Sequence, residues 1–329
     1  MDVLAAKSMI ESSTSCDFDE YIKTYSGIAT FFRAKHTRNL AETDIALVGL
    51  PMDAGLTQRT GARHGPREVR SQSCNVLYFN PLTNISPMSL CRVRDIGDVP
   101  IPSAFDLRRM IDEIFAFYQR LHAANVVPIT VGGDHSITFP ILKALGANTP
   151  VGLVHIDAHF DTAETISGST LHHGSPFWNG VQAGVLDPKR TVNIGLRDPY
   201  TEFERPCADE TGMTVIDINR FHDMGLANVI KRTREVIGES PAYISFDIDG
   251  LDPAFAPGTG TPAVGGLTSY EAKRLLQGLR GLDFIGGDLV EVSPPFDSAG
   301  ITALAGAQML FEILCLNAEA RAKRAKAGA

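Results

Sequence analysis

The sequence is poor in the features that mark several large protein classes. Its five cysteines, at positions 16, 74, 91, 207 and 315, are scattered, odd in number and form no CxxC pair. That pattern predicts neither a disulfide framework nor a zinc knuckle, and a reducing cytoplasm is the simplest setting. Cations are in the minority: 30 Lys and Arg against 38 Asp and Glu give a formal charge of −8. Nucleic acid needs clustered Lys and Arg, so no nucleic-acid partner is expected, and small cationic molecules suit the chain better. The opening MDVLAAKSMIESSTSCDFDEY has too short an apolar stretch for a secretory signal. No run approaches the roughly 20 apolar residues that cross a bilayer, so no membrane partner is expected. Repeats, low-complexity tracts and obvious linkers are also missing. The Ala-rich, basic end AEARAKRAKAGA reads as a helix end or an oligomer contact.

What is present is a chain of 329 residues, 44% of them hydrophobic, near the upper size for one undivided core. We read residues 1–42 as an N-terminal segment and 43–329 as a single α/β domain. Apolar runs that fit buried strands recur as IALVGL (45–50), VVPITVG (126–132), VGLVHIDAH (151–159), TVNIGL (191–196), TVIDI (214–218), AYISFDID (242–249) and FIGGDLVEV (284–292). Helical spacing lies between most of them. Leu107, Met110, Ile111, Ile114 and Phe115 follow a helix start at Ser103 and Asp106, and Thr268 with Glu271 has the capping-box form. Alternating strands and helices predict a mainly parallel sheet covered on both faces, with chemistry at the carboxyl ends of the strands. The Gly- and Pro-rich stretch 251–266 reads as a long structured loop, a place where function concentrates.

Three of these strands end in ligand-type residues. HIDAHFD carries Asp157, His159 and Asp161 at a spacing of two, which an extended chain would turn to one face. SFDIDGLDP repeats this with Asp247 and Asp249, and VGGDH adds His135. A lone Asp pair more often caps a turn, and a lone GGDH is weak. Together, however, four carboxylates and two imidazoles cannot stay ionised side by side without cations, and two divalent metals would neutralise them. Oxygen and imidazole donors without thiolate favour Mn²⁺, with Ni²⁺ left open by the imidazoles. His155 is expected to fall out of register, as a core or supporting histidine, and Asp134 to support the ligands rather than bind metal.

GARHGPREVR (61–70), GGDH, DAHFD, HGSPF (173–177), SFDIDGLDPAFAPGTGTP (245–262) and DLVEVSPPFD (288–297), in that order, resemble the ureohydrolase family of arginase, agmatinase, guanidinobutyrase and guanidinopropionase. The resemblance covers nearly the whole chain from about residue 43 to 317. It implies a three-layer α/β/α sandwich, usually assembled into trimers or hexamers, and leaves room for a related partner subunit. It also implies two divalent ions, one on His135, Asp157, Asp161 and Asp247 and the other on Asp157, His159, Asp247 and Asp249. A hydroxide held between them would attack the guanidinium carbon and release urea and an amine. Two dications and four aspartates cancel, a hydroxide leaves one negative charge, and a guanidinium cancels that in turn. By the same resemblance Asp161 relays the hydroxide proton, Glu291 binds the guanidinium, and His173 shuttles protons or orients substrate, with His172 as its rival.

The substrate is harder to read. Trp178, Asn179 and Gly180 after HGSPF, and DPYTEFERPCADE after NIGLR, depart from the common agmatinase-like pattern. Trp178 would either stack on a planar cation or pack in the core or a subunit contact. Gln58 and Arg59 are candidates to face the substrate tail, and TFFRAKHT (30–37) and the loop 75–84 are candidates to reach the site. A guanidino acid or an agmatine-like amine is expected, with guanidine or a biguanide as the alternative. Two further readings remain open: a formimino hydrolase releasing formamide, and a non-catalytic partner subunit of the same fold.

Overall fold

Eight strands form one fully parallel sheet in the computed structural model, which describes residues 25–198 and 204–327. They are β1 (Ile45–Leu50), β2 (Val93–Asp98), β3 (Val127–Gly132), β4 (Val151–Ile156), β5 (Leu186–Ile194), β6 (Thr214–Ile216), β7 (Ala242–Asp247) and β8 (Phe284–Val290). Their spatial order is β2-β1-β3-β8-β7-β4-β5-β6. Strands β1, β3, β4 and β7 are buried along their whole length, as continuous apolar runs require when helices cover both faces. The alternation within β1 shows the layers. Ile45 and Leu47 pack with helices Gly65–Ser73, Leu226–Ile237, Ser269–Gly278 and Ile301–Ala327, whereas Ala46, Val48 and Leu50 pack with Leu107–Ala123 and Thr138–Leu145. The result is the expected three-layer α/β/α sandwich.

Local signals account for the helix starts. Asp106 accepts the Arg109 N–H and caps Leu107–Ala123, while Ser103 hydrogen-bonds Glu113 further along the helix. Thr268 and Glu271 form the reciprocal capping box of Ser269–Gly278. The helix Ile301–Ala327 corrects one expectation, because it is long and apolar enough to span a bilayer by composition. Its burial explains the apolar run: 78% of the most hydropathic window is inside the protein, where Leu310, Ile313 and Leu314 join the core.

The N-terminal segment is not separate from the domain where it is described. Phe31 and Phe32 are core residues, with Phe31 N donating to Asp95 Oδ2 and Phe32 N to Ser73 Oγ. Residues 1–24, including Cys16, and 199–203 in the DPYT departure lie outside the described residues. The two segments expected to reach the site make other contacts. Phe32 packs against Phe311 with the rings tilted by 51°, and Asn80 of the loop 75–84 donates to the buried Glu312, so both lie against the C-terminal helix.

The four central strands, β3, β8, β7 and β4, are adjacent in space though distant in sequence. Each ends in one of the candidate motifs: His135 after β3, Glu291 after β8, Asp247 and Asp249 at β7, and Asp157 to Asp161 after β4. Strand neighbours lie about 4.8 Å apart, so the sheet itself brings these motifs into one cluster.

Candidate active site

The ligand-type residues converge, but not by the extended geometry their spacing suggests. Strand β4 stops at Ile156, and Asp161 has a left-handed backbone, φ +52°. Asp247 is the last residue of β7, and Asp249 lies in the tight turn Ile248–Gly250, where its N–H donates to Asp247 Oδ1 at 2.9 Å. Turns beyond the strand ends, rather than the pleat, aim these carboxylates inward.

Around His135 the spacing is close. Its Nδ1 lies 2.7 Å from Asp161 Oδ2, 3.2 Å from Asp247 Oδ2 and 3.3 Å from Asp157 Oδ2, yet it has no hydrogen-bond partner. The other ring nitrogen explains this. Nε2 lies 2.8 Å from Ser245 Oγ, and that hydroxyl donates to Asp288 Oδ1 at 2.6 Å, so Nε2 carries a proton and Nδ1 is left to take up a metal ion or a second proton. A buried lone pair facing three carboxylate oxygens repels them unless a cation lies between. A second cluster stands alongside: His159 Nδ1 is 3.2 Å from both Asp157 Oδ1 and Asp249 Oδ2, and its Nε2 is 3.3 Å from Asp198 Oδ2. Nitrogen and carboxylate donors in these positions could hold divalent metal, and Asp157 is common to both clusters.

The charges reflect this crowding. Burial pushes Asp247 well above the usual carboxylate range, and repulsion by Asp249 and Asp157 adds to it. Burial also raises Asp249. Burial opposes the ionised form of Asp157 too, but His155, His135 and His159 hold it well below its ordinary value. For His135, burial works against the cation while Asp161 and its neighbours hold the ring well above the usual imidazole range. Without a metal, then, protons occupy the places where cations would bind.

Beneath the clusters runs a polar row that the sequence reading missed. Thr130, Asp288, Ser245, His155 and Asn193 are register partners across β3, β8, β7, β4 and β5, and all are fully buried. Asp288 accepts from Ser245, Thr138 and Tyr243. His155 corrects its expectation: it shares the parity of Asp157 and stays in register, bridging Asn193 Oδ1 at 3.0 Å and Asp157 Oδ2 at 2.7 Å. A carboxylate such as Asp288 in the middle of a buried strand must be partnered, and that is the signal that could have revealed it. Asp288→Asn is expected to keep the fold and to weaken metal binding by about 10- to 100-fold, measured by metal titration of the stripped protein.

Glu291 sits beside the clusters with a left-handed φ of +63°. The GGDH turn holds it: Glu291 N–H donates to Gly133 O at 2.9 Å, and His135 N–H donates to Glu291 Oε1 at 2.8 Å. The second oxygen, Oε2, is buried and has no partner. Burial, with Asp134 next, pushes the Glu291 carboxyl well above its usual range. His173 faces it, with Nδ1 3.8 Å from Glu291 Oε1 and Nε2 3.1 Å from Thr57 Oγ1. Asp134 is fully buried and supports this wall: Gly55 N–H donates to it at 2.8 Å, and Gly55 O accepts from His173 N–H at 3.0 Å. His172, the rival, is buried, and burial lowers its pKa, with His173 adding to the shift.

Two expected contacts are not brought together in this way. The Gln58 side chain is exposed, and what it turns to the site is its main-chain carbonyl. Trp178 is half-buried beside Phe177, which packs against His135 and His155; among the described residues no hydrogen bond, ion pair or ring contact joins Trp178 itself to the cluster.

Comparison with known proteins agrees with this architecture. The model of the Arginase family matches residues 43–316, most of the chain. The chain belongs to the arginase family. It is 47% identical to a guanidinopropionase of Pseudomonas aeruginosa, over 92% of this chain and 96% of that one. To a guanidinobutyrase of the same organism it is 43% identical, over 89% of this chain and 93% of the relative. Among solved structures, that of a hypothetical agmatinase from Burkholderia thailandensis superposes with a TM-score of 0.84 at 37% identity, covering 92% of this chain and 94% of the other. As an arginase-family member the chain is an enzyme, a hydrolase of the arginase and agmatinase type.

Proposed function

We propose that this enzyme hydrolyses a guanidino acid to urea and an amino acid, using two divalent metal ions held by His135, Asp157, His159, Asp161, Asp247 and Asp249. The observation that carries the reading is the bare His135 Nδ1 among three carboxylate oxygens beside the unpartnered Glu291 Oε2. The first calls for a metal cation, the second for an organic cation. Mn²⁺ is the favoured metal and Ni²⁺ the alternative, given a donor set of oxygens and imidazoles.

Bound there, the ions would supply a water acidic enough to attack near neutral pH. Each remaining task falls to the chain. Glu291 Oε2 accepts N–H from the guanidinium, a charge-assisted bond strengthened by burial. Asp161, whose Oδ2 lies 2.7 Å from His135 Nδ1, takes a proton from the attacking water and passes it to the departing nitrogen. His173, fixed between Thr57 and Glu291, orients the substrate and offers a further proton site. The preference for a guanidino acid over agmatine follows the guanidinopropionase and guanidinobutyrase similarity.

The assembly is proposed to be a homo-oligomer, for which the exposed Leu77, Tyr78, Phe79 and Leu82 are a fitting apolar contact. The unpaired thiols of Cys74, Cys91, Cys207 and Cys315 favour a cytoplasmic setting.

Loading with Mn²⁺ or Ni²⁺ and assaying 3-guanidinopropionate, 4-guanidinobutyrate, agmatine, arginine, guanidine and a dimethylbiguanide tests the reaction. Urea from a guanidino acid supports the proposal; formamide from a formimino compound, with no urea from any guanidine, would replace it. Metal loading should also depend on pH. Because His135 and Asp247 hold protons more tightly than usual in the metal-free site, metal must displace them. Apparent metal affinity is therefore expected to rise with pH, with protons released on binding, and a calorimetric titration in buffers of different ionisation enthalpy would count them.

A further inference from the structure

Gly260 lies in the long loop 251–266, between two residues tied to the site. Thr259 O accepts from Arg59 Nη2 at 3.3 Å, and Thr261 Oγ1 donates to Asp249 Oδ2 at 3.1 Å. A methyl carbon on Gly260 would stand 3.7 Å from Arg59 O, 3.7 Å from Glu291 Oε2 and 3.8 Å from Gln58 O. Apart from the adjoining Thr259 and Thr261, its three nearest neighbours would all be oxygen acceptors. One of them, Glu291 Oε2, is buried without a partner.

The wall carrying the two carbonyls is built to stay in place. Arg59 adopts a left-handed φ of +46°, and its guanidinium rests over the Phe296 ring at 4.0 Å. Asp53 Oδ2 accepts Gly61 N–H at 2.9 Å and Asp134 Oδ2 accepts Gly55 N–H at 2.8 Å, which closes the segment 53–61 on itself and pins it to the GGDH turn. Converging acceptors with no donor among them suit a planar group rich in N–H, such as a guanidinium with five donors in one plane.

We propose that the space over Gly260 is the pocket for the planar N–H-bearing end of the substrate, and that the main-chain carbonyls of Gln58 and Arg59 bind it together with Glu291. This deepens, and rests on, the guanidino-hydrolase reading. Recognition through carbonyls explains how an exposed residue such as Gln58 belongs to the site. It also makes the absence of a side chain at position 260 a determinant of specificity. A methyl group there would not strain the loop, since its contacts are of ordinary van der Waals length. It would hold the N–H groups away from three acceptors at once.

The test compares wild type, Gly260→Ala and the exposed same-loop control Val264→Ala as full-length, metal-loaded enzymes. Gly260→Ala is expected to keep its metal content and Tm, to raise KM for 3-guanidinopropionate at least about tenfold, and to bind the free guanidinium ion at least about tenfold more weakly by calorimetry. Val264→Ala should match wild type in both. Wild-type KM and guanidinium affinity in Gly260→Ala would overturn the pocket, as would equal losses in Val264→Ala. Absence of urea from wild type with every guanidino compound would fail the functional reading instead, while guanidinium binding by the two proteins would still decide the pocket.

Discussion

Asp247→Ala is expected to lose metal and to reduce turnover by about a thousandfold or more, because this buried carboxylate is proposed to serve both ions. Its Oδ2 lies 3.2 Å from His135 Nδ1, and its Oδ1 caps the turn that carries Asp249. The change should separate function from folding. Losing the cap costs about 1 kcal/mol, whereas removing a carboxyl group whose ionised form is disfavoured by burial and by Asp249 and Asp157 relieves a cost of the opposite sign. The metal-free variant should therefore melt close to metal-free wild type. Added Mn²⁺ should raise the Tm of wild type and leave that of the variant unchanged. A variant that binds two ions and turns over normally would remove Asp247 from the centre.

Glu291→Gln should behave in the opposite manner: full metal content, with kcat/KM reduced by about a hundred- to a thousandfold. The amide oxygen can still accept the His135 N–H, so the GGDH turn is preserved. What disappears is the negative charge beside the substrate cation. The measurement is steady-state kinetics with metal analysis of the same sample, and an unchanged kcat/KM would take Glu291 out of the substrate site. Loss of metal together with rate would show that it supports the ligands instead.

Much of this architecture is legible in the sequence because parallel strands buried on both faces leave continuous apolar runs. Seven of the eight strands are visible in this way. The eighth, β2, is VRDIGD, an edge strand whose Arg94, Asp95 and Asp98 hide the pattern; Asp95 is buried there to receive Phe31 N and Arg70. The candidate ligands were legible by type and place but not by geometry, since a left-handed backbone at Asp161 and a tight turn at Asp249, capped by Asp247, replace the extended pleat that a spacing of two suggests. The polar row from Thr130 to Asn193 was hidden because each member is a single polar residue in a different strand. Only the sheet order makes them neighbours. Gln58 marks a further limit, because a main-chain carbonyl leaves no trace in residue type.

The most direct test of the central claim is stepwise return of Mn²⁺ to chelator-treated enzyme, with bound metal and urea release from 3-guanidinopropionate measured on each sample. The account predicts no urea from the stripped protein and full activity only as the content approaches two ions per chain. Full activity in the stripped protein, or a plateau in both binding and rate at one ion, would contradict the two-metal site.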